Sequence, residues 1–283
     1  MMNLENLKDW IGREEENLDI ATVPPLLALA ATLDYAAPPW RSGEVPPLGH
    51  WLYFLPKAMQ GMLGRDGHPR RGGFLPPVPL PRRMFAGGRL DFLAPIRQGE
   101  ALRRRSTILS VEPKTGRSGP MLFVTVAHDI FVQDGHALRE LQNIVYREAA
   151  APGAAPSADL ADPADPPAAV WERTVEADPM LLFRFSALTF NGHRIHYDRP
   201  YAEAVEGYPG LVVHGPLIAT LLMDLFLRHN PGARISTFRF RAQRPLFDVQ
   251  PFTLCGMPTA DGASLWALDP AGRIAMQADL EAV

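Results

Sequence analysis

One segment, residues 216–229, limits what this chain can fold into more than any other. Its apolar residues Leu217, Ile218, Leu221, Leu222, Leu225 and Phe226 recur at helical spacing and leave Asp224 and Arg228 outside the stripe. Pro216 suits a first turn, where its missing N–H costs nothing, and Asn230-Pro231-Gly232 is a stop signal. A helix with so wide an apolar stripe is largely buried, so other elements must cover it. Residues 235–241 alternate with period two, and further strands are predicted at 252–257, 264–269 and 274–281. Asp261-Gly262 and Pro270-Ala271-Gly272 supply the turns of an antiparallel meander. The pattern predicts an α+β unit, a sheet wrapped around a central helix.

The first half shows strand-like material of the same kind. Residues 101–109 and 121–132 flank a Gly/Pro-containing turn at 113–119, which predicts a long hairpin, and 138–146 forms a third apolar run. A helix is predicted over 51–63. Between the halves, residues 149–169 read AAAPGAAPSADLADPADPPAA, with no aromatic residue and no sustained period. Such a stretch cannot bury enough surface to offset its ordering entropy. The chain is therefore divided into residues 1–148, a linker at 149–169, and residues 170–283.

Composition narrows the function. Of the 283 residues, 47% are hydrophobic, enough for a sizeable core, and the formal net charge of −3 excludes a strong nonspecific nucleic-acid binder. The single cysteine, Cys255, excludes an internal disulfide framework and fits a reducing cytoplasm. The N-terminus lacks the basic and apolar regions of a signal peptide, and the apolar stretch 211–227 is broken by His214, Gly215, Pro216 and Asp224. A cytoplasmic protein with no membrane partner is expected.

Chemistry concentrates in residues 183–202, FRFSALTFNGHRIHYDRPYA, where His193, His196 and Asp198 crowd together just after Asn191. Histidine is the natural acid/base near neutral pH. A solvated polar loop explains the same residues about as well when they are taken alone. No metal-ligand spacing is present, so no metal is expected. His50, His128 and His136 lie in regular patterns and are read as structural.

The segment resembles the active-site signature of the MaoC-like, or (R)-specific enoyl-CoA hydratase, family of hot-dog proteins. The resemblance runs from Leu188 to His196 and on to Ala202; His196 matches the family's catalytic histidine, and Asn191 stands where the family has aspartate. A second block, Val212-Val213-His214-Gly215-Pro216-Leu217, opens the buried helix as in the family. Trp10-Ile11-Gly12-Arg13, Asp66-Gly67-His68-Pro69 and the stretch from Leu80 to Gly88 resemble the N-terminal unit of the two-domain dehydratases.

The resemblance implies a double hot dog in one chain, whose first half is non-catalytic and shapes the acyl and coenzyme pocket. It implies a hydratase or dehydratase of a short branched or dicarboxylic enoyl-CoA, of mesaconyl or itaconyl type. Coenzyme A enters as part of the substrate and no other cofactor is needed. His196 moves the proton, and the Gly215 N–H at a helix N-terminus meets the developing enolate oxygen. Asn191 has no useful proton affinity, so His196 would shuttle a single proton, or Asp198 or His193 would substitute. Arg82, Arg83 and Arg89 are candidates for contacts to phosphates or to a free carboxylate, with Tyr197 and His193 as further substrate contacts. A thioesterase, an acyl-carrier-protein dehydratase and a non-catalytic acyl-CoA binder remain alternatives, and edge pairing allows a homodimer.

Overall fold

The computed structural model describes residues 4–116, 119–148 and 166–283. In chain order the elements are β1 (Glu14–Ile20), α1 (Val23–Thr32), β2 (Arg82–Phe92), β3 (Ala101–Gly116), β4 (Gly119–Val132) and β5 (Gly135–Arg147). The second half adds β6 (Trp171–Val175), α2 (Pro179–Leu188), α3 (Arg199–Ala204), α4 (Gly215–His229), β7 (Ile235–Ala242), β8 (Phe252–Thr259), β9 (Gly262–Leu268) and β10 (Ile274–Ala282). The expected linker falls mostly on residues 149–165, outside the described residues; residues 166–169 carry no regular structure.

The ten strands form one antiparallel sheet in the order β1-β3-β4-β5-β2-β7-β10-β9-β8-β6. First-half strands occupy one side and second-half strands the other. They meet where β2 pairs with β7, Gly87 opposite Arg241 and Asp91 opposite Thr237. The seam requires glycine at 87: φ is +151° and a Cβ would sit 2.4 Å from the Phe240 carbonyl oxygen. The β2–β5 register shifts just before it, between Phe85 and Gly87.

At the centre lies α4, buried without a break from Leu217 to Leu227. It packs against β8, β9 and β10 and reaches across the seam to β2. Asp224 is the charged residue inside this stretch, and it is paired: Tyr35, Arg173 and Arg228 all donate to its carboxylate. A second core, around Ile108, Leu122, Val124 and Tyr146, lies under the first-half hairpin.

Two expectations are corrected. Residues 51–63 are not a helix; short 3-10 turns at Gly49–Leu52 and Gln60–Met62 are all that form there. Pro56 breaks the run, and tertiary bonds claim the backbone instead, with the Phe54 N–H donating to Asp19 at 2.7 Å and the Tyr53 hydroxyl to Thr22 at 2.6 Å. The first half's helix is α1, which starts on Pro24 and Pro25 and packs against α2. The second-half strands are also not a simple meander. Only β8, β9 and β10 follow one another, while β7 lies beside β10.

Candidate active site

Helix α2 delivers the site. Asp178 caps its start, accepting from the Leu181 N–H at 2.8 Å, and the chain leaves its far end through Phe190 at φ +48°. Asn191 then folds back: its N–H donates to the Ser186 carbonyl at 2.8 Å and its Oδ1 accepts from the His193 N–H at 3.0 Å. This Asx turn, a 3-10 turn at Arg194–His196 and the Asp198 cap of α3 hold the loop. Asp198 is committed to that cap and to Arg194, 2.7 Å away, so it is not a substitute for the family's aspartate.

His196 is buried, and its Nδ1 lies 2.6 Å from the Val212 carbonyl oxygen. A carbonyl only accepts, so Nδ1 carries the hydrogen and Nε2 keeps a lone pair. Burial pulls the ring's pKa down to about 4, against the opposing pull of the Val212 bond; it is neutral at physiological pH. His214 stacks on it with ring centres 3.7 Å apart and is itself fixed by Ser186 at 2.8 Å. Immediately after His214, Gly215 begins α4, placing the N–H groups of the first helical turn beside the two rings.

The first half contributes a loop that the sequence reading did not assign to catalysis. Gly67 and Gly192 touch backbone to backbone: φ at Gly67 is +88°, and a Cβ there would lie 1.8 Å from the Gly192 oxygen. The Arg194 N–H donates to the Asp66 carbonyl at 2.9 Å and its guanidinium to Arg65 at 3.2 Å. This docking sets His68 on His193, ring centres 4.0 Å apart, while His193 stands edge-on to His196 at 5.4 Å. Burial, with the neighbouring His68 and His196 rings, lowers His193 to about 2. The Asp66 carboxylate accepts from His68 Nδ1 at 3.1 Å. Asp66, His68 and His193 bring one donor atom each within 4.8 Å of one another. The hydrogen bond between Asp66 and His68 engages one carboxylate oxygen and Nδ1 of the ring.

Asp66, His68, Asn191, His193, His196 and Gly215 line one cavity of about 1700 Å³, walled by both halves. That exceeds the ~300–1,000 Å³ of ordinary small-ligand sites and leaves room for a long thioester. Asn191, His193, His196 and Gly215 line it, and Tyr197 stands exposed at its edge with its hydroxyl donating to Gly192 at 3.0 Å. Arg82 lines it but is tied to Glu206, 3.4 Å away. Arg83 lines it too, its side chain hydrogen-bonded to Tyr146. Arg89 is a correction. It sits roughly 20 Å along β2 from Arg83, beyond the register shift between Phe85 and Gly87, and pairs with Asp91 at 2.7 Å without lining the cavity. His50, His128 and His136 are engaged elsewhere, by Glu140, Ser106 and Asp129.

Fold and site together define a double hot-dog protein with an acid/base centre at the start of its central helix. The profile of the family described as hydroxyacyl-thioester dehydratase type 2 matches residues 48–248. The chain belongs to that family. It is 51% identical over 273 residues to a mesaconyl-C(4)-CoA hydratase of Chloroflexus aurantiacus, covering 96% of each chain. Among solved structures, a MaoC-like dehydratase from Phytophthora capsici superposes with a TM-score of 0.69 at 13% identity, covering 100% of this chain and 98% of that one. A Mycobacterium tuberculosis protein described as having a double hot-dog fold gives 0.56 at 14% identity, covering 99% and 97%. These two likenesses establish the fold. No helix among the described residues is long and apolar enough to cross a membrane.

Proposed function

We infer that this chain is a hydro-lyase that adds water to the double bond of a dicarboxylic enoyl thioester of coenzyme A, of mesaconyl type. One observation carries the reading: a neutral His196 with a free Nε2 and the N-terminus of α4 face the same cavity, in a chain 51% identical to a mesaconyl-C(4)-CoA hydratase. The thioester oxygen lies at the Gly215 N–H, where helix dipole and donor meet the charge that develops as the enolate forms. A donor of this kind contributes about 3–4 kcal/mol in other enzymes. His196 Nε2 accepts a hydrogen bond from the attacking water and aims its oxygen at Cβ. The Asn191 amide, its oxygen spent on His193, offers its Nδ2 hydrogens to that oxygen. The proton that leaves the water ends on Cα.

Arg83 fits the distal carboxylate. On β2 it shares a face with Phe85, whose ring would lie 3.2 Å from a Cβ at position 215. Two residues along a strand is about 7 Å, the scale of the gap between a thioester carbonyl and the far end of a short diacid. Its charge also reaches His68 and His193, which supports a carboxylate site on this side of the cavity. Coenzyme A enters only as part of the substrate. A cytoplasmic location and a homodimer through the outer strands β1 or β6 are in keeping with this reading.

The test compares mesaconyl-C4-CoA with crotonyl-CoA, which lacks the second carboxylate, in wild type and Arg83→Gln. Loss of a charged hydrogen bond lowers kcat/KM roughly 10–100-fold on the diacid and leaves crotonyl-CoA within about threefold. Equal losses on both thioesters would remove Arg83 from the carboxylate site. Release of free coenzyme A without hydration would make the protein a thioesterase.

A further inference from the structure

The hydratase reading leaves one role unfilled. The family signature puts a carboxylate at 191, and this chain has an amide there whose oxygen already serves the His193 N–H. His196 cannot readily make up the loss by holding the water's proton. Its Nδ1 is spent on a neutral carbonyl, its neighbours on the loop and on α4 are the uncharged rings of His193 and His214, and burial disfavours its charged form. A proton taken there would create a buried cation with no counter-charge.

A carboxylate does enter the cavity, from the other half of the chain. Asp66 lies on the 64–68 loop and holds His68 by two contacts, Oδ1 accepting the His68 backbone N–H at 3.1 Å and Oδ2 accepting Nδ1–H at 3.1 Å. With Nδ1 held in this way, His68 Nε2 is the free nitrogen. The His68 side chain is only 17% exposed and lines the same cavity wall as His193 and His196. Asp66 stays ionised: burial pushes its pKa up, but the His68 hydrogen bond and charge more than reverse this. The loop's position is enforced by the Gly67–Gly192 contact, which a side chain on either residue would break.

We propose that the Asp66–His68 dyad is the proton carrier of the hydration, supplying from the first half the carboxylate-backed base that Asn191 does not provide. The inference rests on the hydratase reading of the same cavity. As the water oxygen bonds to Cβ, one water proton passes to His68 Nε2. The electron pair of the double bond moves to the thioester oxygen at Gly215, while His196 holds the water's other hydrogen. The His68 imidazolium, balanced by Asp66, then returns its proton to Cα. One water is consumed and both rings end neutral. His68 is the catalytic residue in this scheme and Asp66 a positioning residue. The first half is thus a contributor to the chemistry, not only a wall of the pocket.

Charged and titratable groups around His68 set its pH behaviour: Asp66 on its own loop, Arg71 just after it, Arg83 from β2, and His193 and His196 from the facing loop. Burial lowers the His68 pKa below its usual value and the two arginines add to this, while Asp66, by hydrogen bond and charge, opposes them and favours the imidazolium. The experiment measures hydration of mesaconyl-C4-CoA against pH for wild type, His68→Gln and Asp66→Asn. His68→Gln is expected to lower kcat roughly 10²–10⁴-fold with KM within about threefold. Asp66→Asn keeps an acceptor for Nδ1–H but removes the counter-charge, so the acid limb of its kcat/KM profile moves to lower pH. A structural role for Asp66 would lower activity without moving that limb. Circular dichroism melting checks that both variants fold. The proposal is overturned if His68→Gln keeps kcat within threefold, or if the acid limb of Asp66→Asn stays where wild type has it. A wild-type chain that hydrates no enoyl thioester overturns the functional reading itself, and the dyad's role with it.

Discussion

Replacing Gly67 by alanine tests whether the two halves build one site. The residue has φ +88°, and its added Cβ would lie 1.8 Å from the Gly192 oxygen, against 3.4 Å for ordinary contact. The two loops must therefore part by about 1.5 Å or distort by as much. The left-handed backbone alone costs a non-glycine residue about 1–2 kcal/mol. Parting the loops also releases the Arg194 bonds to Asp66 and Arg65, each worth about 0.5–1.5 kcal/mol. The sum is about 2–5 kcal/mol, or roughly 4–10 °C in Tm for a chain of this size. Rate suffers more than stability, because a ~1 Å misplacement of catalytic groups costs about 10²-fold. Gly99→Ala is the control: its φ is +88° as well, but nothing lies within 4 Å of its Cβ. Thermal melts and hydration rates of both variants separate the backbone cost from the clash. If Gly67→Ala melts with Gly99→Ala and keeps its rate within threefold, the docking of the two loops does not build the site.

Other expectations are simpler to check. His196 sits near pKa 4 in the fold, lowered by burial, against about 6.5 unfolded, so below pH ~6.5 the unfolded chain binds the proton and the fold does not. Stability is complete above that pH and falls as the pH drops toward 4, at up to about 1.4 kcal/mol per pH unit for this ring. Urea unfolding at a series of pH values should show the fall, and His196→Gln should lessen it. Asp224→Ala leaves Tyr35, Arg173 and Arg228 without their shared acceptor inside the core. It should cost about 3–5 kcal/mol in denaturant unfolding while KM measured on the folded fraction stays unchanged.

Much of the second half was legible because its signals are local. The apolar stripe of 216–229 and the alternation of 235–241 became α4 and β7 within a residue or two at each end. The 101–132 hairpin formed as expected, with its strands running further into the turn. What the pattern could not show was how strands pair over long range: β7 beside β10, and β2 joined to β7 across the halves. The edge strands were missed for a related reason. β1 reads EEENLDI and is half exposed, and β6 has five residues, so neither shows the apolar density that marks a strand.

Within the site, His196, Gly215 and Asn191 were readable from two short blocks. His68 and Asp66 were not, because they lie more than 120 residues from His193 in sequence and it is the docking of two distant loops, at Gly67–Gly192 and through Arg194, that brings them together. The signal available was Asp66-Gly67-His68 itself, a glycine flanked by an acid and a base. Arg89 was grouped with Arg82 and Arg83 because the three fall close together in a Pro/Gly-rich stretch, while six residues of β2 and the register shift between Phe85 and Gly87 separate it from Arg83.

The most direct measurement follows the enoyl-thioester absorbance of mesaconyl-C4-CoA with wild type and His196→Gln, alongside a thiol assay for free coenzyme A. Wild type is expected to bleach the conjugated band with the thioester intact, and His196→Gln to slow this roughly 10²–10⁴-fold. An unchanged band with wild type, or bleaching that persists at wild-type rate without His196, would contradict this expectation.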